Sequence, residues 1–220
     1  MQAVYSIELF GMTFSEPMTL LTDLILAAFC FVFWKRLRNF SNNADSELSW
    51  RKFFLFMGIS TTIGGFAHFL NLYTGITLHL LAWSFSILSL YYIGKTAIEY
   101  MPIKYRKKVL TIARIQALVF LVLIFWQQRF GLVVINTVIN LAGIVLAVNF
   151  YQGLKYKNKS SWIVILAVLM TATSTILLSP QYAVNEWFSH KDLTHLALIL
   201  CMWVFYMASK KEIKLSLKVH

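Results

Sequence analysis

The sequence predicts an all-α, polytopic membrane protein, a single seven-helix bundle covering residues 1–220, with its N-terminus outside and its C-terminus cytoplasmic. Three observations predict it. Hydrophobic residues make up 59% of the 220 and charged residues 13%, at a mean hydropathy of +0.66, against about 45–50% and about 25% in a soluble domain. Seven apolar segments approach the roughly 20 residues that a helix needs to cross hydrocarbon. Basic residues collect in every second connection between those segments.

The segments run 18–34, 53–72, 76–98, 109–126, 130–151, 162–179 and 192–208. Ser15 and Glu16 precede Pro17 at the opening of the first, the place where a helix tolerates proline. That segment carries Asp23 and ends in Trp34-Lys35-Arg36 with no small-residue cleavage site, so it reads as a span and not as a cleavable leader. Ser189 precedes Asp192 by three, a capping-box spacing for the start of the seventh. Connection 35–52 holds five Lys or Arg, 104–108 holds four, 155–159 three and the tail from Lys210 four. On the other side, 1–17 and 71–75 hold none, and 127–129 and 181–191 hold one each. Cations mark the cytoplasmic side, which fixes the expected orientation in a plasma (inner) membrane.

Composition excludes several function classes. The 18 Phe, 10 Tyr and 7 Trp exclude disorder, and 9 Gly with 3 Pro exclude a collagen-like chain. The net charge of +11 lies in the connections and not on a basic face interleaved with aromatics, so no nucleic-acid partner is expected. Membrane lipids are the expected surroundings and a lipid the expected substrate or ligand. Cys30 and Cys201 sit inside apolar segments without a nearby second cysteine and read as packing residues.

Ionisable residues gather at one end of the predicted bundle. Glu16 and Asp23 lie at the outer end of the first span, seven apart and so on one helical face, with Thr19, Ala27 and Cys30 continuing that stripe. His68 closes the second span beside Thr61, Gly64 and Gly65, and His79 opens the third. His190, Asp192 and His195 open the seventh. Every histidine except His220 falls in this layer, and ionisable residues at membrane depth are functional candidates. Asn136, Asn140 and Gly143 on the fifth span, and Thr171, Ser174 and Thr175 on the sixth, are expected to line the interior or join helices. Lys95 and Glu99 read as a snorkelling surface pair, and Arg114 as snorkelling too. Neutral imidazoles beside carboxylates suit zinc, which takes N and O ligands tetrahedrally and acidifies a bound water.

The second-span histidine and the histidines opening the seventh resemble those of the superfamily of alkaline ceramidases and progestin/adipoQ receptors. The resemblance implies a seven-helix fold with zinc held by His68 from the second helix and by His195 and His190 from the seventh. Gly64 stands where that superfamily has a serine. His190 and His195 are five apart and not four, which leaves Asp192 as the alternative ligand. The segments Glu16-Pro17-Met18-Thr19 with Thr22-Asp23, Gly64-Gly65-Phe66-Ala67-His68 and His190 to His195 also resemble an uncharacterised bacterial family of multi-pass proteins. The expected function is a zinc-dependent intramembrane hydrolase of a lipid amide or ester. In it His68, His190, Asp192 and His195 supply the metal set, and Asp23 or Glu16 serves the water. A non-catalytic receptor with a structural metal, or a haem protein bridged by His68 and His195, is the alternative.

Overall fold

Backbone groups in hydrocarbon have no water to bond and must pair within their own segment, so the apolar segments fold as helices. The structure is a computed structural model that describes residues 5–38, 45–176 and 184–216. A two-stranded antiparallel hairpin, β1 (Ser6–Leu9) and β2 (Met12–Ser15), leads into α1 (Pro17–Arg38). Next come α2 (Asp45–Phe69), the single turn α3 (Asn71–Thr74), α4 (Thr77–Glu99) and α5 (Ile103–Gln127). The fifth apolar segment is one continuous unit in three parts: α6 (Phe130–Val138), a π-helical stretch Ile139–Leu146, and α7 (Ala147–Lys155). The last two helices are α8 (Lys159–Ile176) and α9 (His190–Ser216). Lys218, His220 and the end of the sixth expected span, 177–179, lie outside the described residues.

Among the described residues five units are long and apolar enough to cross a membrane: Pro17–Arg38, Thr77–Glu99, Ile103–Gln127, Phe130–Lys155 and His190–Lys214. The chain is thus built as a membrane-spanning, all-helical protein, to which the hairpin is an addition that the sequence pattern did not suggest. The helices pack as a ring: α1 on α2, α2 on α4, α4 on the fifth unit, the π stretch and α7 on α8, α8 on α9, and α9 back on α1. The α5 helix stands outside the ring against α4 and α6.

On α1 the two faces are clear. Thr19, Asp23, Leu26, Ala27, Cys30 and Phe33 are buried, while Leu21, Ile25, Phe29 and Val32 point outward. A Cβ at Gly65 would lie 3.0 Å from Asp23 Cβ and 3.4 Å from Leu20 Cα, so α1 and α2 meet there almost backbone to backbone. Gly65→Val is expected to cost about 1–3 kcal/mol, the usual penalty of overpacking, and to lower the melting temperature in detergent.

The main core fills the half of the ring away from the histidines. Trp50, Phe53, Phe54 and Phe205 are buried there, and Phe33 stacks on Tyr206 at 4.4 Å. Below it, Trp50 Nε1 donates to Glu212 Oε2 at 2.7 Å, and Tyr100 also bonds that carboxylate. Lys95 and Glu99 are 3.6 Å apart and only partly exposed, and Ser49 Oγ of α2 donates to Glu99 at 3.2 Å. They therefore tie α2 to α4, which corrects the reading of a simple surface pair.

The π stretch corrects a second expectation. Its i→i+5 bonding widens the turn, so positions spaced for an α-helix lose their common face. Asn136 and Asn140 stay buried, whereas Gly143 is exposed with open space around it. Asn136 accepts from Gln116 Nε2 at 3.0 Å, and Asn140 covers Gly94, where a Cβ would come within 2.8 Å of it. Both asparagines join helices.

Candidate functional site

Inside the ring, at the histidine end, lies a cavity of about 750 Å³. Its walls come from α1, α2, α4, the fifth unit, α8 and α9, and most are apolar, among them Leu26, Met57, Leu90 and Val133. The ionisable side chains of its lining gather at one end: Asp23, His68, His79, His190, Lys191 and His195. Thr171, Ser174 and Thr175 reach the wall as well, but their hydroxyls donate to carbonyls of their own helix at 2.7–3.1 Å. A volume of this size is that of a small-molecule site, and its mostly apolar lining with a few convergent polar groups fits such a site too.

Asp23 projects from the buried face of α1. Its Oδ1 is 3.5 Å from His195 Nε2, a close contact slightly longer than a formed hydrogen bond. A Cβ on Gly64 would lie 3.7 Å from Oδ2, so the missing side chain leaves room over the carboxylate. The other imidazole nitrogen, Nδ1, is 3.0 Å from Thr22 Oγ1, and that hydroxyl is 3.3 Å from Asp192 Oδ1. Four groups thus line up from Asp192 through Thr22 and His195 to Asp23. The hydroxyl carries one proton. When it donates to His195, the ring can donate to Asp23; when it donates to Asp192 or to the Thr19 carbonyl 3.1 Å away, the ring can take the opposite tautomer. The state of Asp23 is tied to a proton position two groups away.

Asp192 is the third residue of α9. Its Oδ2 accepts from Ser189 N–H at 2.6 Å and Ser189 Oγ at 2.9 Å, and Ser189 Oγ accepts from Lys191 N–H at 3.2 Å. This is the capping box expected from the spacing. Its carboxylate is committed to the helix start and to Thr22, and it does not border the cavity.

Glu16 differs from its expected place. It precedes α1 with φ of 50°, a left-handed conformation, and so does not share a helical face with Asp23. That turn aims its carboxylate between α2 and α9. There Oε2 accepts from His68 Nδ1 at 2.6 Å, and Oε1 accepts from Lys191 Nζ at 2.5 Å. Burial pushes the Glu16 carboxyl up, but the hydrogen bond and charge of His68 and the charge of Lys191 outweigh it. They hold the group at about 2, below its ordinary 4.5. Glu16 is a clamp that holds His68 and Lys191 at the cavity mouth.

His79, in the first turn of α4, borders the cavity and meets His68 edge to face at 4.9 Å. His190 is the first residue of α9, and its buried Nδ1 has no hydrogen-bond partner among the described residues. Among the described residues no three His, Cys, Asp or Glu come together in a group able to hold a metal ion. The chemistry of the donors agrees. Glu16 engages His68, both nitrogens of His195 face Thr22 and Asp23, and Asp192 caps its helix. As arranged, His68, Asp192 and His195 each have a partner within the protein, and His190 Nδ1 has none among the described residues.

Thr22 and Lys191 are the site residues that sequence reasoning passed over. Thr22 neighbours Asp23 and falls about 100° away on the helix, so stripe logic skips it. Lys191 reads as a lone loop cation. Only the fold puts Thr22 against His195 and joins Lys191 to His68 through Glu16.

Fold and site together define a polytopic helical membrane protein with an interior cavity that is apolar along its length and ionisable at one end. The chain belongs to a family of unknown function, DUF6962, whose model matches residues 18–214. No curated protein matches the chain, and no solved structure matches it.

Proposed function

We propose that the protein crosses the plasma (inner) membrane seven times, N-terminus outside and C-terminus in the cytoplasm, and hydrolyses an ester or amide of a single-chain lipid held in the interior cavity. Beside the five long apolar units, α2 and α8 take the remaining places in the same ring. The 18 residues of α8 reach about 27 Å at 1.5 Å each, close to the roughly 30 Å of hydrocarbon. A reporter fused after His220 is expected to be active only as a cytoplasmic reporter. Activity of a fusion that works only outside the cytoplasm would contradict this topology.

Asp23 carries the functional reading: a carboxylate on the wall of a mostly apolar cavity, touching an imidazole whose far nitrogen is fixed by a hydroxyl. A lipid chain fits the apolar length and places its carbonyl at the polar end. Asp23 takes a proton from a water as the water oxygen bonds to the carbonyl carbon. His195 stabilises the protonation states of Asp23 through this step, and Lys191 and His79 face the carbonyl oxygen as charge develops on it. The tetrahedral intermediate then loses its amine or alcohol, and Asp23 returns the proton to that leaving group. Assays on single-chain N-acyl amides, ceramides and fatty esters test the reaction. Turnover lost on Asp23→Asn supports it, and no turnover across the panel contradicts it.

One observation favours a second reading, the same reaction with zinc. His190 Nδ1 is buried and unpartnered, and it lies on the cavity that His68 and His195 border. Metal analysis separates the two: the zinc reading expects one zinc per chain, lost in His68→Ala and in His195→Ala. Zinc-free protein with full turnover would contradict it.

A further inference from the structure

The hairpin at the histidine end presents an apolar tip that none of the described residues covers. Phe10 is fully exposed at 102% of its reference area, Leu9 and Met12 are exposed beside it, and Leu72 and Tyr73 of α3 are exposed next to them. The patch is held together, since Thr13 N–H donates to the Tyr73 hydroxyl at 3.0 Å and Phe14 stacks on Phe69 at 4.5 Å. Phe10 and Gly11 are the two turn residues, with φ of 55° and 77°. Such two-residue turns favour Asn-Gly or Asp-Gly, because a side chain with a Cβ resists positive φ and short polar groups tolerate it best. A phenylalanine there gains nothing from the turn and makes no use of the protein interior.

The position of the tip indicates what covers it. The hairpin runs through Ser15 and Glu16 directly into α1, with no linker. The outward apolar stripe of α1 begins at Leu21, about 6 Å along the helix from Pro17 at 1.5 Å per residue. Strands of four residues at about 3.3 Å each keep the tip within about 17 Å of Glu16. The headgroup zone on each side of a bilayer is about 5–8 Å deep, which is within reach of a tip so close to the start of α1. Glu8 is the only charged residue between Tyr5 and Ser15, so little charge opposes contact with the boundary between headgroups and acyl chains.

We propose that this tip is a membrane-docking element: Leu9, Phe10 and Met12 rest in the headgroup–acyl boundary of the bilayer at the histidine end. The partner is the lipid surface. Docking steadies the hairpin whose last turn aims Glu16 at His68 and Lys191.

The test is a nitroxide spin label on Phe10→Cys in full-length protein reconstituted in phosphatidylcholine vesicles, with a second label position at Met12→Cys. Cys30 and Cys201 are free and buried, and each is replaced by Ala so that only the tip carries label. Collision with oxygen, which enters lipid, is compared with collision with a water-soluble nickel chelate. Lys157→Cys, an exposed position at the basic end, is the aqueous reference. The oxygen-to-nickel ratio at both tip positions is expected to exceed the reference at least threefold. An equal ratio, with free access to nickel, would overturn the proposal. A strongly immobilised label reached by neither reagent would also overturn it, since that is the signature of a covering protein surface. Phe10 and Met12 are exposed whereas Cys30 and Cys201 are buried, and an unchanged melting temperature verifies that the fold survives all four substitutions.

Discussion

Asp23→Asn is expected to slow the proposed hydrolysis of a single-chain lipid ester or amide by about 10²–10⁴-fold, the usual worth of a positioned acid or base. The amide keeps the volume of the carboxyl and its contact with His195 but cannot take a proton from water. Binding is expected to persist, so the loss appears in kcat and KM changes little. Thr22→Val keeps the shape of that side chain and removes the hydroxyl that fixes His195 Nδ1 at 3.0 Å. It also loses rate, by about 10–100-fold for a loosened but present base, and shifts the pH profile because the ring no longer has a fixed tautomer. A fall in KM-dependent binding alone, with kcat intact in both variants, would assign Asp23 to ligand recognition.

Glu212→Leu has the largest expected effect on stability. Glu212 is buried at 3% exposure near the basic end, where Trp50 Nε1 donates to it at 2.7 Å and Tyr100 bonds it too. Leucine fills the space and leaves two donors unmatched. Each buried, unmet donor costs about 1–3 kcal/mol, and relief from burying a carboxylate offsets part of that. The net loss is about 2–4 kcal/mol, measurable by denaturation in mixed micelles. Glu212→Gln keeps an acceptor for Trp50 and is expected to lose less than half as much. Equal losses in both variants would show that charge, and not hydrogen-bond satisfaction, joins α2 to α9 here.

The helical segments were legible because crossing hydrocarbon demands long apolar runs, and each run from 18–34 to 192–208 became a helix over most of its length. The capping box of Ser189 and Asp192 was legible because it is local, with both partners within one turn. The meeting of Asp23 with His195 was readable only as a tendency of ionisable residues to share the interior, since the sequence does not say which faces of α1 and α9 meet. Three features were hidden. The hairpin turn lacks the Asn-Gly or Asp-Gly signal and carries Phe10 instead. The left-handed Glu16 breaks the heptad spacing that joined it to Asp23. The π stretch turned Gly143 outward, and nothing in Ile139–Leu146 distinguishes its composition from an α-helix. The zinc set inferred from resemblance depends on which partner each donor takes. Asp192 went to its own helix start and Glu16 to His68 and Lys191, which spacing alone does not reveal.

Native mass spectrometry of the protein released from its own membranes tests the central claim most directly. The cavity of about 750 Å³, apolar along its length and ionisable at the Asp23 end, predicts one single-chain amphiphile bound per chain. Met57→Trp, which puts a bulkier ring into the cavity wall at a partly buried position, is expected to abolish that adduct while the fold persists. Protein that carries no such molecule, and gains none on incubation with fatty acids or N-acyl amides, would contradict the account.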